Sequence, residues 1–264
     1  MPFPLRIVPV AIATVAVAFL AACSTAPMGT VPIAANASAL SGNWQITATA
    51  AQAAQLPQLS GSLTGSGSAI TGVFHPTTSS ACIGPQTSIA VSGSMDDHNN
   101  VTLTSAPFAG GSVLTLLGSA NSSQLAVSTY KVTGGACAFP AAATTVTAAL
   151  LQPVSGTYQG TFADSDGNTI PVTATLTQTT QPDSNGVFHV TGDATFAGNT
   201  CMTSPVVADS TVTGNTLSTT YTQQGSTVVA SGTFNDAATV LTISNWILSG
   251  LCGSDSGTGV LTRQ

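Results

Sequence analysis

Apolar and polar residues alternate in short segments through most of the chain. In residues 169–178, TIPVTATLTQ, the apolar residues Ile170, Val172, Ala174 and Leu176 occupy every second position. A period of two places all of these side chains on one face of a β-strand. Turn sequences rich in Asn, Asp and Gly separate such segments, among them DDHNN (96–100), DSDGN (164–168), DSNG (183–186) and GNT (214–216). The pattern predicts about eight short, locally connected strands in each half of the chain, and the single helix-like piece is TAAQAAQL (49–56).

The alternating pattern occurs twice, because several short motifs recur in the same order. SGNWQ (41–45) returns as SGTYQ (155–159), and GVFH (72–75) returns as GVFH (186–189), both displaced by 114 residues. VSGS (91–94) is echoed by VTGN (212–215). Recurrence at this distance indicates an internal duplication rather than a short-period solenoid. With Pro153 as the boundary, it predicts two β domains, over 41–152 and 153–264, each large enough to bury a core.

Many short antiparallel strands that are joined locally form either an up-and-down barrel or a β-sandwich. Each copy opens with glycine, a variable residue and an aromatic residue: Gly42-Asn43-Trp44 and Gly156-Thr157-Tyr158. This opening resembles that of calycins such as lipocalins and avidins, in which the Trp closes one barrel end. The resemblance implies barrels. We therefore expect an all-β protein of two tandem duplicated antiparallel β-meander domains, and we favour the up-and-down barrel over the sandwich.

One long apolar run, Ile7–Ala22, follows Arg6 at the N-terminus and has the layout of a secretory signal. It ends in Leu20-Ala21-Ala22-Cys23, which resembles the lipobox of bacterial lipoproteins. The resemblance implies cleavage before Cys23, a lipid on its sulfur, and anchoring in the bacterial cell envelope. In the enterobacterial sorting pattern of such lipoproteins, a residue other than Asp after the Cys points to the outer membrane, so the resemblance and Ser24 favour the outer membrane over the inner one. We expect a signal peptide over 1–22 and a lipidated N-terminus with a flexible tether over 23–40.

Two alternatives to the lipobox interpretation stay open at this point. The first is a plain secretory leader with an incidental Cys23, and the second is an uncleaved anchor helix. The apolar run is short for a membrane-spanning helix, which needs about 20 residues.

Four cysteines are left once Cys23 is assigned to the lipid: Cys82, Cys137, Cys201 and Cys252. Four cysteines allow three pairings. The first two occupy the places of the last two in the duplication, so we expect one bridge inside each copy, Cys82–Cys137 and Cys201–Cys252. Bridges form in the oxidising compartment to which the leader directs the chain. Zinc binding or a reactive thiol is the alternative, but the sequence has no Cys-x-x-Cys motif and no His close to a Cys.

Charged residues are scarce. The chain has three basic residues, nine Asp and no Glu, and after removal of the leader only Lys131 and Arg263 remain as cations, which gives a net charge of −7. Binding to nucleic acid requires a basic surface. We therefore expect no nucleic-acid partner, whereas the lipid on Cys23 makes the membrane an expected partner. The sequence does not specify protein partners.

Two turn sequences contain candidate metal ligands. DSDGN (164–168) looks like the beginning of an EF-hand loop, but Thr169 and Thr175 stand where that loop needs Gly and a bidentate acid. Asp96-Asp97-His98 lies between two strand-like runs. We interpret both as hairpin turns. His75 and His189, which the duplication makes equivalent, are interpreted as strand-end side chains, so we expect no metal or cofactor site.

Motifs for catalysis are absent from the sequence. It contains no G-x-S-x-G, no H-E-x-x-H and no P-loop, and glycosidase chemistry would need two Asp to converge. We therefore expect no enzymatic activity. A closed barrel could bind a small apolar ligand, which is the function that we favour from the sequence. A structural or adhesive surface protein with packed domains is the alternative, and a hydrolase without a recognisable motif is the third.

Overall fold

The computed structural model describes residues 36–48, 57–77, 83–84, 87–121, 124–135, 146–200, 202–203 and 205–264. They belong to one compact unit, Ile33–Gln264. A 3-10 helix, η1 (Ala37–Leu40), precedes the first eight strands: β1 Gly42–Ala48, β2 Leu59–Ser66, β3 Ala69–Pro76, β4 Ile89–Met95, β5 Asn100–Ser105, β6 Val113–Asn121, β7 Gln124–Thr133 and β8 Val146–Leu151. The next eight are β9 Gly156–Asp164, β10 Thr169–Gln178, β11 Phe188–Phe196, β12 Val206–Thr213, β13 Thr216–Gln223, β14 Ser226–Phe234, β15 Val240–Gly250 and β16 Asp255–Arg263.

The strands form two closed antiparallel barrels, barrel 1 from β1–β8 and barrel 2 from β9–β16. Each strand pairs with its neighbours in sequence, and the pairs β1–β8 and β9–β16 close the two sheets. Closure removes the exposed strand edges that a sandwich would leave. The predicted all-β class and the up-and-down barrel are confirmed. No helix among the described residues is long and apolar enough to cross a membrane.

Alternation along each strand separates a core from an outer wall. In β10, Val172, Ala174 and Leu176 are buried inside barrel 2, whereas Thr175 and Thr177 are exposed. The same arrangement in the other strands produces two separate hydrophobic cores, one in each barrel. The local period of two is therefore sufficient to specify which side chains fill each barrel.

The repeated SGNWQ and SGTYQ motifs build the same structure in both barrels. Ser41 Oγ accepts a hydrogen bond from a backbone N–H of β2, and Ser155 Oγ accepts one from β10, each at 2.9 Å. Gly42 and Gly156 have φ angles of +146° and +149°, where an L side chain is strained. The duplication is confirmed at this motif.

The two GVFH motifs, in contrast, do not occupy equivalent positions, so the predicted equivalence of these motifs is wrong. In barrel 1, Leu63 of β2 pairs with the first residue of β1 on one side and with Gly72 of β3 on the other. In barrel 2, Leu176 of β10 pairs with the first residue of β9 on one side and with Gly192 of β11 on the other. Gly72 therefore corresponds to Gly192 and not to the glycine of the second GVFH. VSGS likewise lies within β4, whereas VTGN runs from the end of β12 into a turn. The connection β10–β11 is longer than β2–β3, so a constant displacement in sequence does not preserve strand register.

Residues 37–40 differ from the flexible tether predicted over 23–40. They form η1, in which Ala37 and Leu40 are fully buried. The backbone N–H of Ala37 donates to the carbonyl of Gly67 at 2.7 Å, and the side chain of Asn36 caps the helix by accepting from Ser38 N. The part of the predicted tether that follows Asn36 is therefore part of barrel 1. The signal peptide, Cys23 and the helix-like piece at 49–56 lie outside the described residues.

Candidate functional site

An aromatic side chain closes the end of each barrel at which the chain enters it. Trp44 Nε1 donates to the carbonyl of Leu40 at 2.7 Å, and Tyr158 Oη lies 3.0 Å from the carbonyl of Val154 and 2.8 Å from that of Ala238. Trp44 and Tyr158 are fully buried, and this burial raises the pKa of Tyr158. Both polar tips reach the carbonyl four residues upstream. The closed end that the calycin resemblance implied is present in both barrels.

The interior of barrel 2 is filled by its own side chains. Two voids among its inward-facing residues have volumes of about 10 Å³ and about 30 Å³, and Phe162 and Phe196 line both. Phe162 also stacks on Trp246, with ring centroids 5.7 Å apart. Ligand pockets usually have volumes of ~300–1,000 Å³. The described interior of barrel 2 therefore has no room for a small-molecule ligand.

The described inward-facing residues of barrel 1 are buried to the same degree. Trp44 and Phe74 are fully buried, and Tyr130 is 1% exposed. Near the barrel end where β2 begins, Tyr130 Oη donates to the carbonyl of Pro57 at 2.9 Å, and burial raises the pKa of this phenol. Tyr130 therefore stays protonated and acts as a donor that ties β7 to the segment before β2.

A pair of polar side chains lies among the inward-facing residues of barrel 2 that the structure describes. The hydroxyls of Ser210 and Thr219 are hydrogen-bonded to each other, and both residues are buried. Burial raises the pKa of the neighbouring Tyr221 to about 12, against a smaller opposing effect of its hydrogen bond to Thr219. A phenol with this pKa is protonated at neutral pH. Ser210 and Thr219 therefore satisfy each other's hydrogen bonds, and Tyr221 beside them does not act as a base near neutral pH.

The two barrels contact each other through turns of barrel 2 that lie on the outer wall of barrel 1. The side-chain amide of Asn43 donates to the carbonyl of Gly214 at 2.6 Å and accepts from its backbone N–H at 2.7 Å. His75 Nε2 lies 2.7 Å from the carbonyl of Asn185. A Cβ on Gly186 would lie 2.7 Å from the carbonyl oxygen of Val73. These contacts join strands β1–β3 to the β10–β11 and β12–β13 turns.

Burial on this wall shows how closely the turns approach. Ser60 and Ser62 point away from the interior of barrel 1, yet they are 0% and 2% exposed. A Cβ on Gly214 would collide with the side chain of Ser60. Within the described part of the chain, Ser60 Oγ is the buried side-chain oxygen that has no hydrogen-bond partner. Sequence reasoning missed this surface, because its serines and glycines have the pattern of ordinary wall and turn residues.

A cleft of about 340 Å³ lies beside these contacts, where the chain passes from barrel 1 to barrel 2. We call it the inter-barrel cleft. None of the residues that line it is charged: Ser41, Gly42, Asn43, Leu150, Leu151, Gln152, Pro153, Ser155, Gln178, Thr179, Thr180 and Phe188. Its volume lies in the range of small-molecule pockets, which occur preferentially between domains. A larger concave region, about 570 Å³, lies along β7 and β8 of barrel 1, but the inter-barrel cleft has walls from both barrels, and we take it as the candidate binding site.

The two acidic turn sequences are hairpin turns of one design, as the sequence indicated. Asp96 Oδ1 accepts from the backbone N–H groups of His98 and Asn100 at 2.9 and 2.7 Å, and Asp164 bonds to Asp166 and Asn168 in the same way at 3.0 and 2.7 Å. Hydrogen bonds, with the side-chain amide of the Asn first among them, lower the pKa of both carboxyl groups. Asp96, Asp97 and His98 lie close together, but all three are exposed. These carboxylates stabilise their own turns.

His75 and His189 are not equivalent, which corrects the expectation from the duplication. His75 lies next to the end of β3, whereas His189 is the second residue of β11. His75 contacts the other barrel, while His189 Nε2 lies 3.3 Å from Asp183 Oδ2 within barrel 2. The two rings therefore do not mark a shared site.

Among the cysteines assigned to bridges, Cys252 lies in the β15–β16 turn and is disulfide-bonded. Its predicted partner Cys201, together with Cys82 and Cys137, lies outside the described residues. The pairings Cys82–Cys137 and Cys201–Cys252 therefore stay predictions.

The fold defines a class of protein, one with two tandem closed eight-stranded antiparallel barrels. No family model and no curated protein matches the chain. Among solved structures, it is similar to EF1p2_mFAP2b bound to DFHBI, with 21% identity over 42% of this chain and 94% of that one and a TM-score of 0.30. A redesigned β-barrel matches with 25% identity over 42% and 91% and a TM-score of 0.29.

A protein of unknown function of the DUF3598 family, from Nostoc punctiforme, matches with 10% identity over 85% of this chain and 94% of that one, with a TM-score of 0.25. Scores this low carry no argument about ligands or activity. The barrel architecture is established by the strand pairing of this chain itself.

Proposed function

We propose that the protein is a lipid-anchored lipoprotein of the bacterial cell envelope, in which two packed barrels form a non-catalytic structural or adhesive module. The observation that carries this function is the filled interior of barrel 2, whose voids are about 10 and 30 Å³. A binding barrel of the lipocalin type instead needs an open interior. The small apolar ligand that the sequence favoured would have to displace core side chains of this barrel.

The contacts between the barrels support a structural role. Asn43 and Gly214 exchange two hydrogen bonds in a buried position, and both Ser60 and Ser62 are covered. Removal of one partner of a buried hydrogen-bonded pair costs about 1–3 kcal/mol, so separation of the two barrels at this junction is unfavourable. The two barrels would therefore act as one joined unit rather than as two independently moving domains.

The proposed anchor supports a location at the membrane surface. Residues 24–35 would link a lipid on Cys23 to Asn36, and a fully extended chain of this length spans roughly 40 Å at ~3.3–3.6 Å per residue. A lipid with two or more acyl chains gives stable anchoring. Barrel 1 would therefore remain within a few nanometres of the bilayer, and we place that bilayer at the outer membrane.

Membrane fractionation of cells that express the full chain or its Cys23→Ser variant tests the anchor. The wild type should label with a radioactive fatty acid and sediment with outer membranes, and the variant should do neither. A Cys23→Ser protein that is processed and still sediments with membranes would contradict the anchor.

Native mass spectrometry of the full chain, released from a detergent without a sugar headgroup, tests the packed module. Fatty acids and phospholipids should leave an unliganded mass. Stoichiometric retention of one of them would show that an interior opens, and it would replace the structural role by apolar ligand binding.

A further inference from the structure

We propose that the inter-barrel cleft is a binding site for a small neutral saccharide. The cleft combines a suitable volume, about 340 Å³, with walls from both barrels and from the linker Gln152-Pro153 between them. This inference goes beyond the proposed structural role, and it does not depend on the lipid anchor. It rests on the donor groups, the apolar strip and the lack of charge in the cleft.

Several donor groups in the cleft are not committed within the described part of the chain. Gln178 Oε1 accepts from the backbone N–H of Val154 at 3.0 Å, which leaves its amide NH₂ group available. Ser41 Oγ and Ser155 Oγ each accept a backbone N–H, so their hydroxyl protons are available as well. Thr179 Oγ1 likewise accepts from a backbone N–H of β11, at 3.2 Å. The side-chain amide of Gln152 and the hydroxyl of Thr180 also line the cleft, at exposed positions. All these groups can donate to a ligand that offers several oxygen acceptors.

An apolar strip lies among these donors. Leu150, Leu151 and Pro153 line the cleft, together with Phe188, which is 2% exposed. A saccharide ring presents C–H groups on its faces and hydroxyls on its rim, so it can meet the strip and the donors at the same time. A purely apolar ligand would instead cover the donors without bonding to them, which is unfavourable.

Charge excludes the other common ligand classes. No side chain that lines the cleft is charged, and the chain has nine Asp against three basic residues. An anion would meet no cation in the cleft and would be repelled by the net negative charge of the chain. A cation would find no carboxylate in its walls, so a neutral molecule is the ligand that fits.

Titration of the full chain, in a detergent without a sugar headgroup, with glucose, N-acetylglucosamine and their disaccharides tests the proposal by NMR. We expect saturable shifts of the side-chain amides of Gln152 and Gln178 and of the backbone amides of Thr179 and Thr180. A glycine dipeptide and a short fatty acid are the comparison probes. Saturable binding of either of these probes in the cleft, without saccharide binding, would overturn the proposed class.

A matched set of variants tests the location. Gln152→Leu with Thr180→Val removes two donors from exposed positions of the cleft. Thr233→Val makes the same Thr-to-Val change at an exposed position of β14 that does not line the cleft. We expect the double variant to bind at least about tenfold more weakly, and Thr233→Val to bind as the wild type does. The single Thr180→Val variant serves if the double variant does not fold. Unchanged affinity in a folded cleft variant, or no saturable shift with any saccharide, would overturn the proposal.

Discussion

Substitution of Phe162 by Ala is the sharpest test of the packed interior. The ring is 6% exposed, stacks on Trp246 and meets Phe196 edge-on at a centroid distance of 5.8 Å. Its removal leaves a void on the order of 100 Å³, which costs about 2.4 kcal/mol at ~24 cal/mol per Å³. The lost burial of the ring adds about 2 kcal/mol. We therefore expect Phe162→Ala to lower the free energy of unfolding of barrel 2 by about 4–5 kcal/mol.

The same substitution should create a ligand site that the wild type lacks. It joins voids of about 10 and 30 Å³ to the space of the ring, and an apolar cavity of about 150 Å³ stays dry and binds benzene. Urea denaturation followed by ¹⁹F NMR of fluorotryptophan reports each barrel, because Trp44 and Trp246 lie in different barrels. Phe162→Leu is the control, with a smaller loss and no benzene effect. A loss below about 1 kcal/mol for Phe162→Ala, or no stabilisation by benzene, would refute the packing argument.

Three further predictions concern single side chains. Tyr158→Phe should lower the free energy of unfolding by about 1–2 kcal/mol in urea, because it removes the single buried O–H donor that lies between the carbonyls of Val154 and Ala238. An unchanged midpoint would contradict this role. Asn43→Ala should lower the free energy of unfolding by about 1–3 kcal/mol and accelerate hydrogen exchange of the backbone N–H of Gly214, which donates to the Asn43 side chain. Thr157→Ala, at the equivalent position of barrel 2, should leave that exchange unchanged. The folded state holds the pKa of Asp164 below its unfolded value of 3.8, so the ionised carboxylate stabilises the fold at any pH above 3.8. This contribution is lost as the pH falls through the folded pKa. Acid should therefore destabilise the wild type and Asp236→Asn more steeply than Asp164→Asn, and parallel melting curves would exclude this contribution.

The barrels could be predicted from the sequence because their determinants are local. Alternation at residues 169–178 places Val172, Ala174 and Leu176 on one face, and the structure buries all three. Turn residues such as Gly167 and Asn99 have φ angles of +87° and +62° in their hairpins, as the turn sequences indicated. Such features depend on a few neighbouring residues, so they can be recognised one segment at a time.

Register between strands could not be predicted in the same way. The two GVFH motifs share four letters, yet Gly72 corresponds to Gly192, because the β10–β11 connection is longer than β2–β3. A pairing of two strands is specified by a whole ladder of hydrogen bonds and by side chains from both strands. Four identical residues are therefore weak evidence that two segments occupy equivalent positions in their sheets.

The alternation and the turn residues by themselves determined that this protein is all-β. The recurring motifs determined that it is duplicated, with a Gly-x-aromatic motif at the start of each copy. Tertiary structure alone decided that the interior of barrel 2 is full, because packing depends on how side chains from all eight strands meet. The burial of Ser60, the hydrogen bond between Asn43 and Gly214, and the cleft beside them are also decided by the tertiary structure alone. These residues are far apart in sequence, and each has the pattern of an ordinary wall or turn residue. The candidate site arises from contacts between the two copies, which no local pattern within either copy encodes.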